Sequence, residues 1–192
     1  MFVLFFGTLK SQQLRNHNQN AFQLGESLEF KASYGFIDAA KVNLSIAETP
    51  KKIGSRSTFH VVGTGVSLGA FDWFFEVNDR YETFIDDKAI VPWVFLRRVH
   101  EGGYKLKRNI YFNQYKSTVQ VKELKDSSKT VHTVDTNVQD LLSAFYFLRT
   151  LDLRSAKEGQ EFTVPTFFDS ENYPMRIKFL GRETIKTDLG QF

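Results

Sequence analysis

Cysteine is absent from the 192-residue sequence, and long hydrophobic runs, internal repeats and low-complexity tracts are absent as well. Without cysteine, the chain has no disulfide framework, no thiolate metal site and no thiol nucleophile. After the apolar residues at the start of the chain, no apolar stretch approaches the roughly 18 residues of a membrane helix. The longest, residues 90–96, contains Pro92 and has the length of a strand. These absences exclude a disulfide-stapled scaffold, a cysteine-based metal protein and a transmembrane span.

A strong charge imbalance is also lacking, because 25 Lys and Arg residues face 22 Asp and Glu residues. The small basic excess lies in residues 97–129, which carry nine basic and three acidic residues. Lysines alternate there with apolar residues, which favours the solvated face of a sheet over the alternative, a patch for an anionic partner. A nucleic-acid-binding protein presents a denser basic face. We therefore predict no nucleic-acid partner.

Aromatic residues are plentiful, with 20 Phe, 7 Tyr and 2 Trp. An ordinary aromatic core explains such an excess, but so does a curved sheet that lines an apolar groove with helices as its lid. Aromatic residues of two predicted helices and one predicted strand are the candidates for ligand contact in such a groove: Phe71, Trp73, Phe74, Phe75, Trp93, Phe95 and Phe145. The sequence leaves both interpretations open.

Most of the chain alternates apolar and polar residues with turns every 8–12 residues. This period of two predicts a mainly β fold, either a curved antiparallel sheet or a half-open β-barrel meander. Two segments instead carry an apolar stripe of helical period, residues 68–77 and 137–151. We expect one or two short helices packed on the sheet, the second capped by Thr136 or Asn137.

The two ends of the chain differ from the centre. Residues 1–11 are apolar and then turn abruptly polar, which predicts a partial export signal without its basic start; a ragged strand is the alternative. Residues 21–192 are predicted to form a single β-rich domain. Residues 182–187 alternate like a strand, and a turn at 188–190 leads into a return strand that stops after two residues. We therefore predict that the domain lacks its C-terminal strand.

The segment Gly65-Val-Ser-Leu-Gly69 matches the G-x-S-x-G pattern of a hydrolase nucleophile elbow, with Ser67 as the nucleophile. Asp72 or Asp79 and then His100 or His132 follow in the order of a hydrolase triad. The hydrolase fold requires alternating strands and helices around a parallel sheet, whereas this sequence predicts a meander. A serine hydrolase is therefore a remote alternative, and we predict that the chain is not an enzyme.

Metal and cofactor motifs are not found. The four histidines, His17, His60, His100 and His132, do not have the spacing of a ligand pair, so we predict no metal and no cofactor.

Asp79, Arg80 and Glu82 form a compact charged cluster after the first predicted helix. Arg80 and Glu82 are two apart in a strand and therefore point to one face. A structural ion pair at the helix–strand junction is the favoured interpretation, and a polar ligand contact is the alternative.

Several segments together resemble a bacterial exported family known as domain of unknown function 3108. The resemblance is carried by the segments 21–40, 65–86, 101–104, 140–149 and 180–183, and by Pro92, so that it spans residues 21–192. It implies export to the periplasm or envelope of a Gram-negative cell and a curved antiparallel β architecture. It carries over no catalytic residue. From this resemblance we expect the chain to be shortened at both ends relative to the family.

These observations lead to one preferred functional hypothesis. We expect a non-enzymatic protein of the periplasm or cell envelope that binds a hydrophobic or lipid-like small molecule in an aromatic-lined groove. The alternative is a structural or protein-interaction module of the envelope, for which the sequence indicates no particular protein partner.

Overall fold

A computed structural model describes residues 13–34, 37–187 and 190–191. The signal-like segment 1–11 lies outside the described residues, and so do Asp188, Leu189 and Phe192 of the predicted C-terminal turn and return strand. The described elements are strands β1 (Ser27–Tyr34), β2 (Ile37–Ile46), β3 (Lys51–Ile53), β4 (Arg56–Ser67), β5 (Asn78–Asp86), β6 (Pro92–Glu101), β7 (Tyr104–Asn113), β8 (Thr118–Glu123), β9 (Lys129–Thr133), β10 (Glu161–Phe168), β11 (Glu171–Lys178), β12 (Lys186–Thr187) and β13 (Gly190–Gln191), and helices α1 (Ala70–Phe74) and α2 (Leu141–Arg149).

The first nine strands form one antiparallel sheet. Its path runs β1-β2-β4-β5-β6-β7-β8-β9, and the short β3 pairs with the first residues of β4. Within the described residues the two end strands of this path do not pair with each other, so the sheet stays open. The prediction of a mainly β, antiparallel fold with one or two short helices is therefore confirmed, and the sheet is not closed into a barrel.

One face of the sheet, called here the inner face, carries the core. Alternate residues of the central strands point to it and are buried, including Val61, Ile85, Phe95, Ile110 and Val119. Helix α2 and the hairpin formed by β10 and β11 cover this face. Alternation of apolar and polar residues thus directs one row of side chains into the core and leaves the other row on the opposite face.

The hairpin is joined to the segment before α2 by backbone hydrogen bonds. The Gln139 N–H donates to the Pro165 carbonyl, and the Phe167 N–H donates to the Gln139 carbonyl, both at 2.8 Å. The ring of Phe167 then packs edge-on against Phe112 of β7, with centroids 6.5 Å apart. The sheet, helix α2 and the hairpin therefore share one core.

Helix α1 is shorter than the predicted helix over residues 68–77. It spans only Ala70–Phe74, begins after Gly69 without a side-chain cap, and ends at Phe75, whose φ of −151° is extended. No residue of α1 is buried. An apolar stripe stabilises a helix through packing, and this stripe lacks a buried face, which explains the shortening.

Helix α2 also begins later than predicted. The expected caps Thr136 and Asn137 are wrong: Asn137 has a positive φ of 56°, and the cap is Asp140. Residues 136–137 form a turn, and Gln139 forms an isolated parallel bridge to Thr166 of β10 instead of joining the helix. Pairing with the hairpin therefore displaces the helix start by several residues.

Candidate functional site

Four of the predicted ligand-contacting aromatics form an exposed cluster at α1. The exposed fraction is 85% for Trp73, 78% for Phe74, 55% for Phe75 and 37% for Phe71. Trp73 and Phe74 contact each other with ring centroids 5.1 Å apart. These four residues therefore lie on the surface at the end of β4 and do not cover an interior groove.

The other three predicted aromatics lie elsewhere. Phe95 is fully buried in the core. Trp93 is nearly buried, and its indole N–H donates to Asp86 at 3.0 Å. Phe145 lies half-buried on α2 against Phe30, with centroids 6.2 Å apart. The seven residues thus occupy separate places, and none of them lines the cavities described below.

The predicted polar junction is divided between the two faces of the sheet. Asp79 is buried on the inner face, where it accepts hydrogen bonds from the His100 N–H at 2.9 Å and the Tyr81 hydroxyl at 3.2 Å. Burial and the Asp79 carboxylate raise the pKa of Tyr81 to about 12.

Arg80 and Glu82 lie on the opposite face. Arg80 Nε donates to Glu82 at 2.9 Å, and His60 lies 2.8 Å from the same carboxylate. Burial acts to raise the pKa of Glu82, but the hydrogen bonds from Arg80 and His60 outweigh it and leave the pKa lowered.

Ser67 lies at the end of β4 and has two hydrogen-bond partners. Its hydroxyl donates to Asp72 at 2.5 Å and accepts from the Val77 N–H at 2.8 Å. A hydrolase nucleophile instead requires a histidine within hydrogen-bond reach. Among the described residues, Ser67 has no such hydrogen bond to a histidine, while His60 contacts Glu82 and His132 contacts Thr130. The absence of enzymatic activity stays a prediction.

Helix α2 is fixed at its N-terminus by a fully buried capping box. Asp140 accepts from the Ser143 N–H at 2.8 Å, while the Ser143 hydroxyl accepts from the Asp140 N–H at 2.8 Å. Thr83 of β5 donates a further bond to Asp140 at 2.6 Å. Burial raises the pKa of Asp140 to about 6, although these hydrogen bonds act in the opposite direction.

The C-terminus of α2 is fixed by Arg149. Its guanidinium donates to both carboxylate oxygens of Glu26, at 2.5 and 2.9 Å, and to the Ala21 carbonyl at 2.8 Å. These bonds hold the irregular segment before β1 against the end of the helix.

A cleft of about 440 Å³ opens at this end of α2 and is called here the polar cleft. Its lining combines residues 18–21, residues 149–154 and Arg182. Arg182 donates to the carbonyls of Leu153 and Arg154, and Arg154 is itself bound to Asp152 at 2.9 Å. Two of the three lining arginines, Arg149 and Arg154, are thus paired with carboxylates, which leaves Arg182 without a carboxylate partner among the described residues.

A smaller cavity of about 220 Å³ lies beside the polar cleft and is called here the apolar cavity. It is lined by apolar side chains from the end of α2, the following loop, and β10 and β11 with the residues after it: Leu148, Leu151, Leu153, Phe162, Ile177, Phe179 and Leu180. Lys178 is the one charged residue of this lining. Such a lining binds apolar groups, and an apolar cavity of roughly 150 Å³ already accepts benzene.

The two spaces adjoin, since Leu151 and Leu153 line both. Apolar surface therefore continues directly into a surface with excess positive charge, an arrangement that suits a molecule with an apolar tail and an anionic head. Sequence reasoning missed this site because its residues come from four distant segments. The helical stripe of α2 indicated Leu148, but nothing local connects it to Ile177 or Arg182.

Neither a metal site nor a membrane helix is found in the part of the chain that the structure describes. Its His, Asp and Glu residues do not gather in groups of three that could hold a metal ion. Neither described helix has the length and apolar character needed to cross a membrane.

An open antiparallel sheet with one helix and one hairpin on its inner face defines a mainly β protein. The chain belongs to the family described as protein of unknown function (DUF3108), whose model matches residues 29–192. The resemblance noted from the sequence is thereby confirmed. No curated protein and no solved structure matches the chain. Because the family has no described activity, the match assigns no site residue.

Proposed function

We propose that this protein binds a lipid-like, amphipathic anion at the end of α2. The observation that carries the proposal is the adjacency of the apolar cavity and the polar cleft, which share Leu151 and Leu153. In this proposal the apolar part of the ligand enters the cavity between α2 and the hairpin, and its carboxylate or phosphate faces Arg182.

The energetics favour such a ligand. Burial of apolar surface contributes about 0.8 kcal/mol per methylene group, so a chain of six methylenes supplies about 5 kcal/mol before the costs of binding. Arg182 retains unused donors, because its Nη2 alone makes the bonds to Leu153 and Arg154. A guanidinium with free donors is well suited to a carboxylate or a phosphate.

Isothermal titration calorimetry with decanoate tests the proposal. We expect saturable binding to the wild-type protein and at least tenfold weaker binding to Ile177→Trp, because the larger side chain fills the apolar cavity. Tyr173→Trp is the matched control, since Tyr173 lies on the same strand, is 63% exposed and does not line the cavity. Unchanged decanoate affinity in Ile177→Trp, or no saturable heat with the wild type, contradicts the proposal.

The polar part of the site has its own variant. Arg182→Gln removes the guanidinium from the polar cleft and is expected to weaken decanoate binding while leaving decanol binding unchanged. Equal losses for the acid and the alcohol would show that Arg182 supports the fold and does not bind the head group.

We further propose that the protein acts in the periplasm or envelope of a Gram-negative bacterium. The support is the apolar-to-polar change across residues 1–20 together with membership of the family. A fusion of residues 1–20 to alkaline phosphatase, which is active only after export, is expected to show phosphatase activity in whole cells. An inactive fusion that accumulates in the cytoplasm would overturn this part of the proposal.

A further inference from the structure

Two arginines oppose each other directly on the inner face of the sheet, away from the end of α2. Arg97 of β6 and Arg108 of β7 are register partners, and their side chains are only 7% and 15% exposed. Like charges directly opposite each other in a sheet are unfavourable, the more so when they are shielded from water. An anion shared by the two guanidinium groups removes this repulsion.

Asp169 supplies that shared anion. Nη1 of Arg97 donates to Oδ1 of Asp169, and Nη1 of Arg108 lies 3.5 Å from the same oxygen. Asp169 lies in the two-residue turn between β10 and β11, where Asp169 and Ser170 have positive φ values of 47° and 69°. Its side chain is 58% exposed. The counter-ion of a buried and a partly buried arginine is therefore a side chain that is still largely in contact with water.

The hydrogen-bonding capacity of Arg97 is not used up by this contact. Its Nε is buried and has no hydrogen-bond partner within the described residues. The guanidinium also lies 4.6 Å from the ring centroid of Phe168. Asp169 engages Arg97 through a single nitrogen, whereas the guanidinium fork accommodates an oxyanion through two.

The charge balance of this cluster depends on Asp169. Arg97 and Arg108 are balanced by Asp169 and by Glu123, which accepts from Arg108 Nε at 2.5 Å. Among the described residues Glu123 pairs with Arg108 and not with Arg97, and Glu101 is near enough to interact electrostatically with Arg97 without forming an ion pair. Removal of the Asp169 charge therefore leaves the buried Arg97 without an ion-paired carboxylate. Arg97 would then favour any oxyanion small enough to enter.

We propose that Arg97 and Arg108 form an oxyanion-binding site, in which Asp169 is the resident carboxylate and exchanges with a carboxylate or phosphate group of an external ligand. The site is separate from the lipid-like ligand proposed above and does not depend on it. If Asp169 instead forms a purely structural ion pair that fixes the hairpin to the sheet, external anions will not replace it.

Thermal unfolding of Asp169→Asn with phosphate and with acetate tests the proposal, using chloride at equal ionic strength as the reference. We expect either anion to raise the Tm of Asp169→Asn in a saturable manner, with an apparent affinity at least tenfold tighter than for the wild type. The anion that gives the tighter affinity distinguishes a phosphate site from a carboxylate site.

Asp38→Asn is the matched control, because Asp38 is similarly exposed and is paired with Lys31 on the sheet surface. It removes the same charge and is expected to respond to anions as the wild type does. The double variant Asp169→Asn with Arg108→Gln is expected to lose the added response. If anions change the Tm of Asp169→Asn no more than that of the wild type or of Asp38→Asn, the proposal is overturned and Asp169 has a purely structural role.

Discussion

At the scale of single residues, the Asp86 carboxylate accepts five hydrogen bonds from the groups around it. Its carboxylate is fully buried and accepts from Arg56 Nε and Nη2, both at 2.6 Å, and from the Trp93 indole at 3.0 Å. The N–H groups of Lys88 and Ala89 also donate to it. Burial acts to raise the pKa of Asp86, but these donors outweigh it and leave the pKa lowered.

Asp86→Ala is therefore expected to destabilise the protein strongly. The substitution leaves the Trp93 indole, two backbone N–H groups and Arg56 without their acceptor, a loss of about 3–5 kcal/mol for a broken buried pair. Denaturant unfolding measures the loss. Asp87→Ala, at the neighbouring and only half-buried position, is expected to change the free energy of unfolding by less than about 0.5 kcal/mol. Equal effects of the two substitutions would contradict the role given to Asp86.

The sequence pattern did not predict that Arg97 is buried. Arg97 lies in a basic stretch that alternates like a solvated sheet face, yet it is buried, whereas its neighbour Arg98 lies on the opposite face. Two consecutive arginines place one on each face of a strand, and composition does not reveal which one is inside. Arg97 is the inner one because it contacts the turn at Asp169, which lies about 70 residues further along the chain.

At the scale of elements, the stability of the fold depends on pH through Asp140, the N-cap residue of α2. Its pKa in the folded protein is about 6, against an ordinary value of 3.8. Because the folded state holds the proton more tightly, the contribution of Asp140 to stability is full below about pH 4. It is lost as the pH rises towards 6.

Asp140→Asn is expected to remove this pH dependence. The amide can still cap the helix but does not titrate. The free energy of unfolding of the wild type relative to the variant should fall by on the order of 2–3 kcal/mol between pH 4 and pH 7. Chemical denaturation of both proteins across this range measures the difference. The other carboxylates contribute equally to the pH dependence of the two proteins, so their contributions cancel. A difference that is constant or rises with pH would contradict the claim that burial raises the pKa of Asp140.

Local pattern predicted the strands better than the helices. The alternation predicted a mainly β fold, and the alternating residues 27–34 and 161–168 indeed form β1 and β10. Helix α1 was predicted too long because its apolar stripe has no buried face. Helix α2 was predicted to start too early because Gln139 pairs with the hairpin, a long-range contact that no local pattern contains.

At the scale of the whole molecule, the candidate site is a product of topology. The open sheet leaves its inner face to be covered by α2 and the hairpin, and the adjoining cavities form where the end of the helix meets β10 and β11. The sequence predicted an apolar ligand from its aromatic content. The aromatic residues of α1 are exposed, and Phe95 belongs to the core, so composition did not reveal where the cavities lie.

The central claim, an amphipathic ligand at the end of α2, is tested most directly by NMR titration of ¹⁵N-labelled protein with decanoate. The account predicts saturable shifts of the amide signals of residues 148–154 and 177–182, with the signals of residues 70–75 unchanged. Shifts concentrated at the exposed aromatic residues of α1, or the absence of saturable shifts at the end of α2, would contradict it.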